Sequence, residues 1–225
     1  MTASAAFSAP LVAPRSRAQL ALDLWPDLSE KELRSSLHNT LSQLRGALGH
    51  KAWVRYEQGV YSFQRQIEGA GQTLTCWFDV DQFEASIQRA CQVYRQAPAE
   101  ALGLLETALG LYETDLLGQR AYDWATARQE DIQRQFEDAT LLLGQLDLEG
   151  GRPSEAEVVY RRLIRRDPYQ EAAHRGVMRA LVRQGQRPQA LRHYDGLVKQ
   201  LADELGVAPM PATQDLAERI RRGEE

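Results

Sequence analysis

One stretch of the sequence, Leu28 to Gly49, carries polar side chains whose spacing is suited to contact with nucleic acid. At helical spacing these side chains share one face without a carboxylate. The members of that face are Lys31, Ser35, His38, Asn39, Ser42 and Gly46, with Arg34 and Arg45 at its edges. Hydroxyl, amide and guanidinium groups form hydrogen bonds with base edges and phosphates in a DNA major groove. The alternative interpretation is a solvated helix that happens to be poor in acidic residues, although such helices usually carry both charge signs.

The element that must position this polar face is an amphipathic helix. Its apolar residues recur at spacings of three and four, which places them in one narrow sector and predicts a stripe that faces the core. The stripe consists of Leu33, Leu37, Leu41, Leu44 and Leu48. Ser29 and Glu32 have the spacing of a capping box, and Gly49 suits the C-terminal stop. The pattern therefore predicts a helix from Glu30 to Leu48.

The segments on either side of this helix resemble parts of one supersecondary unit. SRAQLALDLWPD predicts a short preceding helix, which Ser16 can cap and Pro26 ends, so that two closely joined helices have helix-turn-helix spacing. After the helix, the apolar runs 53–56 and 60–63 flank a turn at Gly59 and predict a β-hairpin. A hairpin in this place is typical of the wing of a winged helix. The alternative is a hairpin that only covers the leucine stripe.

Charge and composition limit the class of protein. Residues 1–65 contain eight basic and five acidic side chains, a net of +3, which leaves −7 for the rest of a chain whose net charge is −4. This division favours a nucleic-acid contact confined to the N-terminal part. No apolar run is long enough to span a bilayer, and the N-terminal residues do not resemble a secretory signal, so we expect a cytoplasmic protein.

The sequence predicts neither catalysis nor a bound cofactor or metal. It contains no Walker loop, GxGxxG, GxSxG or HExxH motif. The two cysteines, Cys76 and Cys91, lack a CxxC or histidine partner, which argues against zinc and redox chemistry. The histidines are scattered, and we expect His174 and His193, on different helices, to have packing or surface roles. We therefore predict that the protein is not an enzyme.

From Asp79 onward the sequence predicts helices only, and its last part repeats itself. Four pairs of residues are separated by 34 positions, the period of a tetratricopeptide repeat. These pairs are Gly151 and Gly185, Ala156 and Ala190, Tyr160 and Tyr194, and Leu163 and Leu197. The predicted fold class is mainly α: a partial winged helix-turn-helix with a β-hairpin wing, followed by an all-α tetratricopeptide-like helical repeat domain.

The order of these segments resembles the Streptomyces antibiotic regulatory protein type of transcriptional regulator. In that type an OmpR-like winged helix precedes a bacterial transcriptional activator domain. The resemblance covers about residues 15 to 222. Its most specific motifs are LWPD ahead of LRSSLHNTLSQLRGALG, and the later ELGVAPMPATQDL.

The resemblance implies a mode of action. Helix 30–48 would enter the major groove, wing 53–63 would touch the DNA backbone, and the repeat domain would serve dimerisation or contact with the transcription machinery. The positions on the DNA-reading face are Arg34, Ser35, His38, Asn39, Ser42, Gln43 and Arg45, with Lys51 and Arg55 as backbone contacts from the wing. The implied partners are double-stranded DNA, a second copy of the chain, and RNA polymerase or another protein.

We expect four segments. Residues 1–14 are predicted to be a disordered lead, 15–66 an N-terminally truncated winged-helix DNA-binding domain, 67–78 a connector or strand, and 79–225 the bacterial transcriptional activator domain. Members of the family carry a small sheet and a first helix before the LWPD helix, and more arginine along the reading helix. The alternative function is therefore a tetratricopeptide-like interaction scaffold whose winged head no longer binds DNA.

Overall fold

The structure, a computed structural model, describes residues 14–69, 71–118 and 123–225. They divide into two compact units: the first runs to Phe78 and also takes in Asp123 and Trp124, and the second holds the other described residues from Asp79 onward. We call residues 14–78 the head and the second unit the repeat unit. The lead predicted over residues 1–14 lies outside the described residues except for Pro14.

The head contains two helices and two small antiparallel sheets. Its elements are β1 Arg15–Ser16, α1 Arg17–Leu24, α2 Glu30–Ala47, β2 Val54–Glu57, β3 Val60–Phe63, β4 Gln66–Gly69 and β5 Gln72–Thr75, with a short 3₁₀ turn at Lys51–Trp53. One sheet has the strand order β1-β3-β2, and β4 pairs with β5 in the other. The two helices and the hairpin predicted from the sequence are confirmed.

Local sequence signals define where these helices begin and end. Ser16 and Gln19 form a capping box at α1, and Ser29 and Glu32 form one at α2. Each box satisfies backbone N–H groups that have no partner within the first helical turn. After α2 the chain leaves the helix at Gly49, whose φ of 72° favours glycine.

The β2–β3 hairpin has the predicted turn, and the stretch after it, predicted as a connector or strand, contains two strands. Gln58 and Gly59 both have positive φ, 51° and 85°, as a two-residue type I′ turn requires. Most of that stretch forms the hairpin β4–β5, in which Gln66 pairs with Thr75. The alternation that marks a strand is weak there because three of the four residues in each of β4 and β5 are polar or glycine, the exceptions being Ile67 and Leu74.

The leucine stripe of α2 is buried less than the sequence predicts. Leu37 is 4% exposed, but Leu33, Leu41 and Leu48 are only half-buried and Leu44 is 41% exposed. The apolar residues of the head that are buried are few: Ala21, Leu37, Trp53, Val54 and Ile67. The described part of the head therefore covers one narrow strip of α2 and leaves the edges of its apolar face accessible.

Helices are the only regular secondary structure among the described residues of the repeat unit. They are α3 Asp79–Val93, α4 Pro98–Leu111, α5 Asp123–Glu149, α6 Pro153–Arg166, α7 Glu171–Arg183, α8 Arg187–Leu205 and α9 Pro211–Arg222. Four of these helices have proline in the first turn, where the missing N–H is not needed. No helix in the part of the chain that the structure describes is long and apolar enough to cross a membrane.

The 34-residue period of the sequence corresponds to equivalent positions in the fold. Gly151 and Gly185 both end a helix with positive φ, 73° and 76°. Ala156 and Ala190 are fully buried, and Leu163 and Leu197 are nearly so. The predicted repeat is therefore confirmed at the level of packing.

Tyr160 explains why two helical glycines are present in the repeat unit. A Cβ at Gly144 or at Gly176 would lie closer than 3.0 Å to atoms of the Tyr160 ring. The ring of α6 thus packs between the bare backbones of α5 and α7. Burial raises the pKa of this tyrosine to about 12.

Candidate nucleic-acid interface

The polar face of α2 is exposed, as the sequence predicts. Ser35, His38, Asn39, Ser42 and Gln43 are all exposed along the helix. Their positions span about two turns, so a ligand as broad as a DNA groove could meet them together. The leucines that turn this face outward lie on the opposite side, with Leu37 at the centre of the buried strip.

Two carboxylates of the first helical turn lie near this face, but both are engaged. The Arg34 guanidinium bonds with Glu30 at 2.6 Å, and both side chains are largely exposed. Glu32 turns back to Ser29 and accepts a hydrogen bond from its backbone N–H at 3.1 Å. Hydrogen bonds from the Ser29 side chain and backbone hold the pKa of Glu32 below its usual value. The face from Ser35 onward is free of acids, whereas Arg34 already has an acidic partner.

Arg45 occupies a different environment from the rest of the face. It is half-buried, and its Nη2 donates a hydrogen bond to the Val54 carbonyl at 2.9 Å. Its Nε is buried and has no hydrogen-bond partner among the described residues. The sequence predicted a cation at the edge of the reading face, and the structure joins that cation to the first residue of β2.

The wing presents its two predicted cations differently. Lys51 is exposed in the 3₁₀ turn before β2. Arg55 is also exposed, but its Nε lies 2.7 Å from the Glu57 carboxylate. Exposed ion pairs of this kind are weak, and a phosphate can compete for the guanidinium.

The structure adds a cation that sequence reasoning missed. Arg15 pairs with Tyr61 in the sheet through the two-residue strand β1, and it lies 4.0 Å from Asp23. Tyr61 in turn packs its ring against exposed Tyr56, with ring centroids 4.5 Å apart. A strand of two residues leaves no alternation in the sequence, so no local signal could have placed Arg15 beside the wing.

Two histidines that the sequence left apart meet in the repeat unit. His174 Nε2 lies 3.0 Å from the Pro168 carbonyl oxygen, and His174 Nδ1 lies 3.0 Å from His193 Nε2. Because a carbonyl only accepts, His174 Nε2 carries the proton and His193 Nε2 donates to His174 Nδ1. Burial lowers the pKa of both imidazoles, that of His193 to about 4. The expected packing role is confirmed for His174, which is 4% exposed.

No cluster able to hold a metal ion is found in the described ranges. Groups of three or more histidine, cysteine, aspartate or glutamate side chains with suitable geometry are absent there. His50, next to the wing, uses its Nδ1 to accept a hydrogen bond from the Ala52 N–H at 3.2 Å. The surface of the head with the clearest chemical character is therefore the exposed face of α2 together with the wing.

Comparison with known proteins agrees with this architecture. Residues 78–221 match the bacterial transcriptional activator domain family. The chain is 28% identical over 204 residues to the regulatory protein AfsR of Streptomyces griseus, covering 89% of this chain and 20% of that protein. It is 28% identical over 202 residues to AfsR of Streptomyces coelicolor, covering 88% of this chain and 19% of that protein. The chain thus spans about a fifth of the length of these relatives.

A solved structure has the same fold. Mycobacterium tuberculosis EmbR, determined in complex with a low-affinity phosphopeptide, superimposes with a TM-score of 0.77 at 22% sequence identity. The match covers 95% of this chain and 56% of that chain. The fold class predicted from the sequence, a winged helix followed by a helical repeat domain, is confirmed.

Proposed function

The chain belongs to the bacterial transcriptional activator domain family, and from this membership we propose that its head binds double-stranded DNA to regulate transcription. The resemblance to the Streptomyces antibiotic regulatory protein type is confirmed by the family match and by the AfsR relatives. The protein is therefore a transcriptional regulator.

The main support for DNA binding is the exposed face of α2, which is free of acidic residues from Ser35 onward. We propose that α2 lies in the major groove, where amide and hydroxyl side chains can distinguish base pairs. Asn39 is suited to a bidentate contact with adenine, and Ser35 and Ser42 can bond with several bases. His38 and Gln43 complete the set of base-reading candidates, and Arg34 would exchange Glu30 for a phosphate.

The wing supplies the sequence-independent part of the contact. Lys51 and Arg55 are exposed on or beside the hairpin that follows the reading helix. Phosphate contacts of this kind set register and affinity without reading sequence. Each phosphate that is neutralised should add about 0.9 to the slope of log affinity against log salt concentration.

The test is DNA binding by the full chain with duplexes selected from a random-sequence library. Fluorescence anisotropy between about 50 and 200 mM salt should show binding that weakens as salt rises. Asn39→Ala should relax the preference at one base position by about 1–3 kcal/mol. Lys51→Ala, the matched control, should weaken binding to all sequences alike and lower the salt slope by about 0.9. Absence of binding at the lowest salt, with an unchanged circular dichroism spectrum, would overturn the proposal.

The same proposal assigns a role to each segment of the chain. Residues 15–66 would form the DNA-binding domain and 79–225 the domain for protein contacts, with the β4–β5 hairpin between them. The repeat unit would serve dimerisation or contact with RNA polymerase, because stacked helix pairs form extended binding surfaces. A protein of this function acts in the cytoplasm.

The alternative is a scaffold whose head docks a protein instead of DNA. The half-open leucine stripe favours it, since Leu44 is 41% exposed. Apolar area of this kind is typical of a protein contact. A head that binds no DNA at low salt, although its α2 amides resist hydrogen exchange, would favour this second function.

A further inference from the structure

We infer that Arg45 is a positioning residue, which holds the wing against the reading helix instead of neutralising a phosphate. The inference rests on the proposed function for its consequence in DNA binding, but its structural basis lies within the head. The two arginines of α2 differ in their exposure and in their partners. Arg34 is largely exposed and pairs with Glu30, whereas Arg45 is half-buried and contacts β2.

The Arg45 contact joins the last turn of α2 to the first residue of the wing. Nη2 donates to the Val54 carbonyl oxygen at 2.9 Å, and Val54 is only 6% exposed. The Val54 N–H donates to the Lys51 carbonyl in the preceding 3₁₀ turn. Both backbone polar groups of Val54 are thus satisfied by groups outside the sheet.

Strand geometry explains why the Val54 carbonyl needs this donor. The Trp53 carbonyl accepts a hydrogen bond from the Gln64 N–H across the hairpin. Successive carbonyls of a strand point to opposite sides, so the Val54 carbonyl points away from β3. Because β2 is the edge strand of the order β1-β3-β2, no other strand among the described residues receives that carbonyl. Because Val54 as a whole residue is only 6% exposed, its carbonyl requires a partner, and Arg45 provides it.

The guanidinium of Arg45 is poorly placed for DNA. One of its nitrogens bonds with the protein backbone, and Nε is buried. The consequence for DNA binding is indirect: Lys51 lies three residues before Val54 and Arg55 directly after it, so both would shift with Val54. Removing the Arg45 contact should therefore displace two phosphate-binding candidates at once.

Hydrogen exchange of the full chain tests the structural step without DNA. In Arg45→Met, which keeps the apolar stem, the ladder amides of β2 and β3 should exchange about tenfold faster, as expected for loss of a charged hydrogen bond. Arg34→Met is the matched control on the same helix and should leave these amides unchanged. Equal exchange in both variants would overturn the inference. If Arg45→Met loses protection along α2 as well, Arg45→Lys replaces it, with faster wing exchange again expected.

Salt titration of DNA binding tests the consequence. Arg45→Met should lower the salt slope by about 1.8, two phosphates, whereas Arg55→Met should lower it by about 0.9. A decrease of only about 0.9 in Arg45→Met, with the wing amides still protected, would identify Arg45 as a phosphate contact and overturn the inference. If the unmodified chain binds no DNA, the proposed function fails, and the exchange experiment alone decides the role of Arg45.

Discussion

The head and the repeat unit bury their apolar residues to very different extents. All of the largest fully buried side chains lie in the repeat unit, with Phe136, Leu105 and Met178 among them. In the head, Leu37 is the buried member of a five-leucine stripe, and Leu22 on α1 is 70% exposed. Burial of apolar area is the main stabilising contribution to a fold, so the repeat unit should be the more stable of the two.

The difference indicates a division of roles. The repeat unit uses rings and backbones in close contact: Tyr112 stacks on Phe136 with centroids 4.4 Å apart, and Arg162 donates to the carbonyls of Leu109 and Tyr112. The head instead uses a few anchors and leaves polar side chains free on α2. Regions that bind ligands are commonly drawn from the less stable part of a protein. Unfolding should accordingly occur in two steps, with the head first.

The largest effect should come from Gly176→Ala in the repeat unit. The added methyl group would overlap the Tyr160 ring, which is held on its other side by Gly144. We expect a loss of about 3 kcal/mol in the free energy of unfolding of the repeat unit, measured by urea denaturation. Gly196→Ala is the matched control, because its Cβ would meet no atom within 4 Å and should be neutral or stabilising by up to about 1 kcal/mol. Equal stability of the two variants would show that the packing around Tyr160 is loose.

Leu37→Ala tests whether the head depends on a single anchor. Leu37 is 4% exposed, and its truncation should cost the head about 2 kcal/mol while the transition of the repeat unit stays in place. Hydrogen exchange along α2 is the measurement, since it reports the head alone. Leu22→Ala is the control, and a change within about 0.5 kcal/mol is expected for so exposed a residue. A shift of the repeat-unit transition in Leu37→Ala would contradict the division.

Acid should weaken the repeat unit through its histidine pair. Burial lowers the pKa of His193 from 6.5 to about 4, so the unfolded chain takes up a proton that the folded chain excludes. The free energy of unfolding of the repeat unit is then unaffected by this histidine above about pH 6.5 and falls as the pH decreases toward 4. We expect the urea midpoint of the repeat-unit transition to fall progressively over this window.

The control for this pH dependence is a histidine of the head. His193→Ala should flatten the pH dependence of the repeat-unit midpoint, while His38→Ala, at an exposed position of α2, should leave it unchanged. Parallel curves for the original chain and His193→Ala would show that other groups cause the acid sensitivity.

The smallest effect should come from Glu30→Gln on α2. The Glu30–Arg34 pair is exposed on both sides, so its loss should change stability by no more than about 0.5 kcal/mol. Removing this carboxylate should tighten DNA binding two- to threefold at low salt, an estimate on the order of a weak surface ion pair. Glu218→Gln, an equal charge change at an exposed position of α9, should leave DNA affinity unaltered. Weaker binding in Glu30→Gln would mean that the acid positions Arg34 for its contact.

The sequence predicted the elements whose signals are local. Ser29 and Glu32 marked the start of α2, Gly59 marked the turn of the wing, and the 34-residue period marked equivalent positions such as Ala156 and Ala190. The exposure of Asn39 also followed from its place opposite the leucines. Capping and turn rules depend on residues a few positions apart, and a repeat period can be read directly along the chain, so the sequence alone contains the information that these rules need.

Tertiary structure alone decided which groups are free and which are engaged. Arg45 contacts a carbonyl nine residues away, and His174 meets a histidine 19 residues away. Leu44 belongs to a helical stripe by its spacing, yet it is exposed because few described residues of the head pack against that edge. A periodic pattern states which face a residue occupies, whereas burial and pairing depend on what the rest of the fold brings to that face.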